Sequence, residues 1–192
     1  CHGFIAAGRR SGTACVAVWF ATTEALGREQ PALPVDRMFL CSSAAEVDNG
    51  DSSILTHDVA SMSTLDSGTT APGQDSSEFG VTVAMTDQTR PLDWHLTDKL
   101  VRLCKENDIR YQKDVFRYYR SASAAALEAG ADVRTALITF GVDASHGYER
   151  IHLHALRSLA ELATASRPHP VEIQRRPAPS VLPLVSPDQH RR

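Results

Sequence analysis

Three polar loops carry the residues of this 192-residue chain that could do chemistry. Glu46 and Asp48 stand in AAEVDNG, Asp66 in TLDSGT, and His146 in DASHGYE. Each follows an expected strand, most clearly Thr135 to Phe140, a short, mostly apolar run with β-branched residues, the pattern of a buried strand. Polar residues gathered at the carboxyl ends of strands are where open α/β sheets hold ligands. One imidazole and several carboxylates arriving from separate strand ends could assemble a zinc site of nitrogen and oxygen donors. Residue types alone leave plainer readings open. An aspartate in a Gly/Ser-rich loop is usually a turn former, and a lone loop histidine is more often a surface residue than a ligand.

The remaining candidates are weaker. His152 and His154 lie two apart on a predicted helix, which points them to different faces and keeps them from sharing a metal. His95 reads as a residue near a helix start, and His57 beside Asp58 as a loop pair. No Gly-x-Ser-x-Gly elbow, phosphate-binding glycine loop or His-Glu-x-x-His helix is present. Ser145 adjoining His146 in sequence does not make a nucleophile and base pair.

The elements that must position these residues follow from hydrophobic periodicity. A strand entering a turn is expected over residues 1–12, and an amphipathic helix over Thr13 to Arg28, with Val16, Trp19, Phe20, Thr23 and Leu26 at inward spacing. Strands are expected at Val35 to Cys41, Ser61 to Leu65, Val81 to Met85, Tyr111 to Phe116 and Thr135 to Phe140, the last ended by Gly141. Helices are expected at Asp51 to Val59, at Leu96 to Asn107, and at Ser123 to Ala129 with Gly130 as its cap. Another follows His146, with Ile151, Leu153, Leu156, Leu159 and Leu162 inward. Alternation of this kind argues for an α/β sandwich over a mixed or parallel sheet. From residue 166 to 192 the sequence is proline-rich and aperiodic, so a disordered tail is expected after a domain spanning 1–165.

Totals exclude several classes. A hydrophobic content of 42% with 22% charged residues is that of a soluble globular domain. A net charge of -3 and a pI near 6.2 give no electrostatic case for nucleic acid or an anionic membrane. The cysteines at 1, 15, 41 and 104 have no Cys-x-x-Cys spacing, which fits a reducing cytosol rather than a disulfide framework. No apolar run approaches the ~20 residues of a membrane span, and no signal peptide is evident. The start at Cys1 rather than methionine suggests the later part of a longer protein.

At the same residues the chain resembles the zinc-dependent aminopeptidases of the glutamyl and tetrahedral aminopeptidase group. The resemblance runs from about Ile5 to Ala163 and is most specific in YYRSASAAALEAGADVRTALITFGVDASHGYERIHLHAL, then in STLDSGTTAPGQDSSEFGVTVAMTD. Within that group it is nearest to the bacterial peptidase branch associated with the osmoprotectant N-acetylglutaminylglutamine amide. The resemblance implies a three-layer α/β/α sandwich, N-terminally incomplete here, and cytoplasmic hydrolysis of N-terminal peptide bonds of short peptides. It also implies two bridged zinc ions with a glutamate as general base, and a possible homo-oligomer.

Carried over by position, Glu46, Asp66 and His146 match metal ligands of the family. The departures are chemical ones. Ala45 stands where the general base would be, and Asp48 replaces the glycine of a Glu-Glu-Val-Gly signature. Ser11, in RRSGTAC, falls where the bridging aspartate is expected, and the family's Arg-Ser-Asp reads Arg120-Ser121-Ala122. The early histidine would precede residue 1. Losing a general base alone costs roughly 100- to 10,000-fold in rate. The resemblance therefore implies a catalytically impaired aminopeptidase homologue that holds at most one weak zinc. The alternative is a non-catalytic structural or interaction protein on the same sandwich.

Overall fold

A computed structural model describes residues 3–8, 11–29, 37–42, 50 and 58–166. Its elements are β1 (Phe4–Gly8), α1 (Ser11–Glu29), β2 (Ser61–Thr69), β3 (Val81–Thr86), α2 (Trp94–Glu106), β4 (Tyr111–Val115), α3 (Ala122–Glu128), β5 (Arg134–Asp143), β6 (Tyr148–His152) and α4 (Leu153–Ala165). They form a mixed six-stranded sheet around β5. One edge of β5 runs parallel to β2 from Ser61↔Arg134 to Thr69↔Val142. Its other edge is shared between two antiparallel partners, β3 from Val81↔Phe140 and β6 at Val142↔Ile151. Strand β4 extends the sheet parallel to β3, and β1 extends it antiparallel to β6.

Alternation along β5 divides the core between two faces. Ala136, Ile138, Phe140 and Val142 pack with Ala14 and Val18 of α1, Leu100 and Val101 of α2, and Leu159 and Leu162 of α4. Leu137 points the other way, onto Ala84, Leu92 and Phe116. On that second side α3 contributes Ala126, against Ala131 and Met62. A strand covered on both faces reads as a continuous apolar run rather than an alternating one. The expected α/β/α sandwich is the fold observed.

Several boundaries differ from the sequence reading. Strand β5 continues through Gly141 to Asp143. A Cβ at Gly141 would lie 2.3 Å from the Ser77 carbonyl oxygen, so this glycine lets a neighbouring backbone approach rather than ending the strand. Strand β2 likewise runs on to Thr69 and takes in Asp66. The residues after His146 first form β6, and α4 begins only at Leu153, which is itself exposed. The expected strand over Val35 to Cys41 is absent from its described part, where residues 37–42 have no regular structure. Of the expected helix at Asp51 to Val59, only Asp58 and Val59 are described, and they are irregular. The tail after Ser166 lies outside the described residues.

The face that α1 buries also differs. Ala14, Val18 and Thr22 are buried, whereas Val16 and Phe20 are exposed, Phe20 by 60%. Helix α1 is apolar on several sides, so bulk does not mark its inward face. Its small side chains let it pack closely on α4.

Candidate functional site

Asp66 sits in β2 opposite Thr139 of β5 and is half-buried. Its Oδ1 accepts the Ser67 N–H at 2.7 Å, and its Oδ2 accepts the hydroxyl of Tyr119. Tyr119 packs edge-on against Phe116, with ring centroids 5.6 Å apart. Burial, reinforced by the Asp66 charge and the hydrogen bond to it, pushes the Tyr119 phenol far above its ordinary value. The phenol therefore stays a protonated donor aimed at Asp66.

Helix α1 meets this strand through its second turn. The Cys15 thiol donates to the Leu65 carbonyl at 3.4 Å. Burial, then the negative charge of Asp66, pushes the Cys15 thiol up to about 12. Such a thiol stays protonated near neutral pH and packs as a neutral group.

His146 occupies the loop between β5 and β6, where its side chain is exposed. Its φ is +64°, and Ala144 in the same loop has φ +56°. Two non-glycine residues in the left-handed region cost of order 1–2 kcal/mol each, so the loop must be held by its surroundings. Gly147 N–H donates to the Ala144 carbonyl at 2.9 Å. The His146 N–H donates to Oε1 of Glu149 at 3.0 Å. The other oxygen of Glu149 accepts the N–H of Ser11, the first residue of α1, at 2.7 Å.

Asp66 and His146 thus reach the same end of α1 by separate routes, Asp66 beside Cys15 and His146 through Glu149 and Ser11. Glu46 lies outside the described residues, as do Ala45 and Asp48. Among the described residues no three His, Cys, Asp or Glu side chains converge where a metal could sit. The described donors do not by themselves make a metal centre.

Two histidines behave otherwise than expected. His152 ends β6 rather than lying on a helix, and its ring meets that of His154 with centroids 4.5 Å apart. Its Nδ1 accepts the His154 N–H at 3.1 Å and caps α4. The pair is a structural cap.

Tyr119 and Cys15 are residues of this region to which sequence reasoning gave no role, and Glu149 stood out only as one of the polar residues that arrive with His146 in a loop. For Glu149 a signal existed: in Tyr148-Glu-Arg-Ile151 it shares a strand face with Ile151, and both are buried. It becomes visible only once the segment is read with a period of two.

Comparison with known proteins agrees with this architecture. The family model described as M42 glutamyl aminopeptidase matches residues 12–162. A protein of Bacillus subtilis (strain 168) named as an aminopeptidase, YhfE, is 32% identical over 160 residues, covering 83% of this chain and 46% of its own length. An aminopeptidase from the archaeon Desulfurococcus kamchatkensis superposes with a TM-score of 0.75 at 19% identity, over 88% of this chain and 50% of that one. PhTET1-12s, a dodecamer, superposes with a TM-score of 0.70 at 14% identity, over 85% of this chain and 50% of that one. The chain spans about half the length of these relatives. Among the described residues no helix is long and apolar enough to cross a membrane.

Proposed function

The chain belongs to the M42 glutamyl aminopeptidase family, and from that premise we propose that it is a metallo-aminopeptidase homologue whose own peptide hydrolysis is impaired. The observation that carries this reading is Ser11 at the head of α1. It stands where the family resemblance expects a bridging aspartate, and it offers a hydroxyl instead of a carboxylate. The carboxylate that does reach this point, Glu149, spends one oxygen on the Ser11 N–H and one on the His146 N–H. Ala45 at the expected general-base position cannot take a proton, which supports the same conclusion.

On this reading Glu46, Asp66 and His146 are inherited ligand positions that hold one weakly bound zinc at most, and the substrate of the ancestral activity is a short peptide. The likeness to the osmoprotectant-associated branch, and action in the cytoplasm, belong to the same proposal. Self-association, by analogy with the PhTET1-12s dodecamer, is the form that a non-catalytic role would take.

Metal analysis tests the proposal, on chain purified without chelators and on His146→Ala. A measurable amount of zinc up to about one per wild-type chain, lost in the variant, with peptide hydrolysis at background, is the expected result. Brisk release of N-terminal residues from short peptides would refute the impairment. A wild type that binds no zinc would sink the inherited site.

A further inference from the structure

We propose that Glu149 is the positioning residue of this site, a buried carboxylate clamp that holds the His146 loop against the first turn of α1. The clamp rests on the proposed reading only in taking His146 as the inherited ligand position. Three observations lead to it. First, Glu149 is 2% exposed, and a carboxylate so deeply buried is retained only where donors compensate its lost hydration. Second, its two oxygens accept backbone N–H groups from two segments distant in sequence and adjacent in space, Ser11, 138 residues before Glu149, at 2.7 Å and His146 at 3.0 Å. Third, α1 has no acidic residue in its own first turn. Its first N–H, that of Ser11, and the positive end of its dipole are met instead by a carboxylate from β6.

The geometry assigns the direction of control. His146 takes a left-handed φ of +64° that a histidine does not favour. The N–H of that same residue is bound by Glu149, so the clamp fixes the backbone from which the imidazole projects. Ser11 is fixed by the other oxygen. Both charge-assisted bonds need a carboxylate. A glutamine keeps the size of the side chain but has one acceptor oxygen, and it turns an amide donor towards the second N–H.

Glu149→Gln is therefore the variant to make, because Glu149→Ala risks a cavity and a loss of folding. Amide hydrogen exchange in the full chain should rise about tenfold at His146 or Ser11. Core amides such as Ile138 and Phe140 should stay within about twofold of wild type. A purely structural glutamate would instead speed exchange across the core in step with a lower melting temperature, and that pattern would overturn the clamp. Unchanged exchange at both Ser11 and His146 would overturn it too. Zinc per chain, measured on the same samples, should fall in the variant while the melting temperature holds. Exchange decides the clamp by itself, whereas absence of zinc from the wild type would sink only the metal reading.

Discussion

Asp87 and Glu149 are both buried carboxylates, at 5% and 2% exposure, and both collect backbone N–H groups from two separate segments. Asp87 is saturated by its neighbourhood. Oδ1 takes the N–H and hydroxyl of Thr89 and the N–H of Arg90, and Oδ2 takes the N–H and hydroxyl of Ser121. It fastens the turn after β3 to the start of α3, and its donors come from Thr89, Arg90 and Ser121 rather than from a candidate ligand position. Glu149 instead joins a helix N-terminus to a strained loop that carries an exposed histidine. Equal burial of a carboxylate can thus serve an inert turn or a candidate site. What separates them is the residue at the other end of each hydrogen bond.

Breaking the inert member should have the largest effect. Asp87→Ala leaves several buried donors without an acceptor, each costing about 1–3 kcal/mol, so a total loss of about 3 kcal/mol is expected in urea unfolding. Zinc content of the surviving folded protein should not change, in contrast to Glu149→Gln. Acid sharpens the same contrast. Burial alone would raise the Asp87 carboxyl, but the hydrogen bonds from Ser121 and Thr89 outweigh it and hold the group below its usual value. A depressed folded value means that this stability is present above the unfolded carboxylate value of about 3.9 and is lost as pH falls towards the lower folded value. Asp87→Asn should therefore flatten the fall in stability below about pH 4.

Tyr119→Phe comes next in size. It removes the hydroxyl that donates to Asp66, a bond to a half-buried charged acceptor, and should cost about 1–2 kcal/mol. If Asp66 acts only as architecture, that loss is the whole effect. If Asp66 is a ligand position, zinc content changes as well, and the two outcomes are read in one pair of measurements.

The sandwich was legible in the sequence because Thr135 to Phe140 of β5 is a mostly apolar run and α2 has a clear amphipathic period. The site was legible only in part. Asp66 and His146 stood out by residue type, but the strand around Asp66 was drawn too short, because Ser67-Gly68-Thr69 looks like a turn and is in fact paired along β5. Glu149 was placed in a polar loop rather than on a strand, because Ile151, Leu153 and Leu156 suggested a helix where β6 ends and α4 begins. Gly141 looked like punctuation, since nothing local indicates that the Ser77 backbone passes over it. The misses at Ser67 to Thr69 and at Gly141 depend on contacts between distant segments, which periodicity does not record, whereas the alternation around Glu149 was a local signal.

The smallest predicted effect tests the face of α1 that sequence reading placed wrongly. Trp19 packs beside Phe20 and Phe39, with centroids 4.6 and 5.5 Å away, and Phe20 projects 60% exposed from the outer side of α1. Phe20→Ala should leave stability within about 0.5 kcal/mol of wild type, as surface substitutions do. Val18→Ala, one helical turn from the buried Ala14 and Thr22, should cost about 1–2 kcal/mol despite removing a smaller side chain. The reverse order would mean that α1 buries its bulky face, as the sequence spacing suggested. Helix α1 would then be rotated, and Ser11 would no longer meet Glu149. The order of two small numbers therefore bears directly on the clamp.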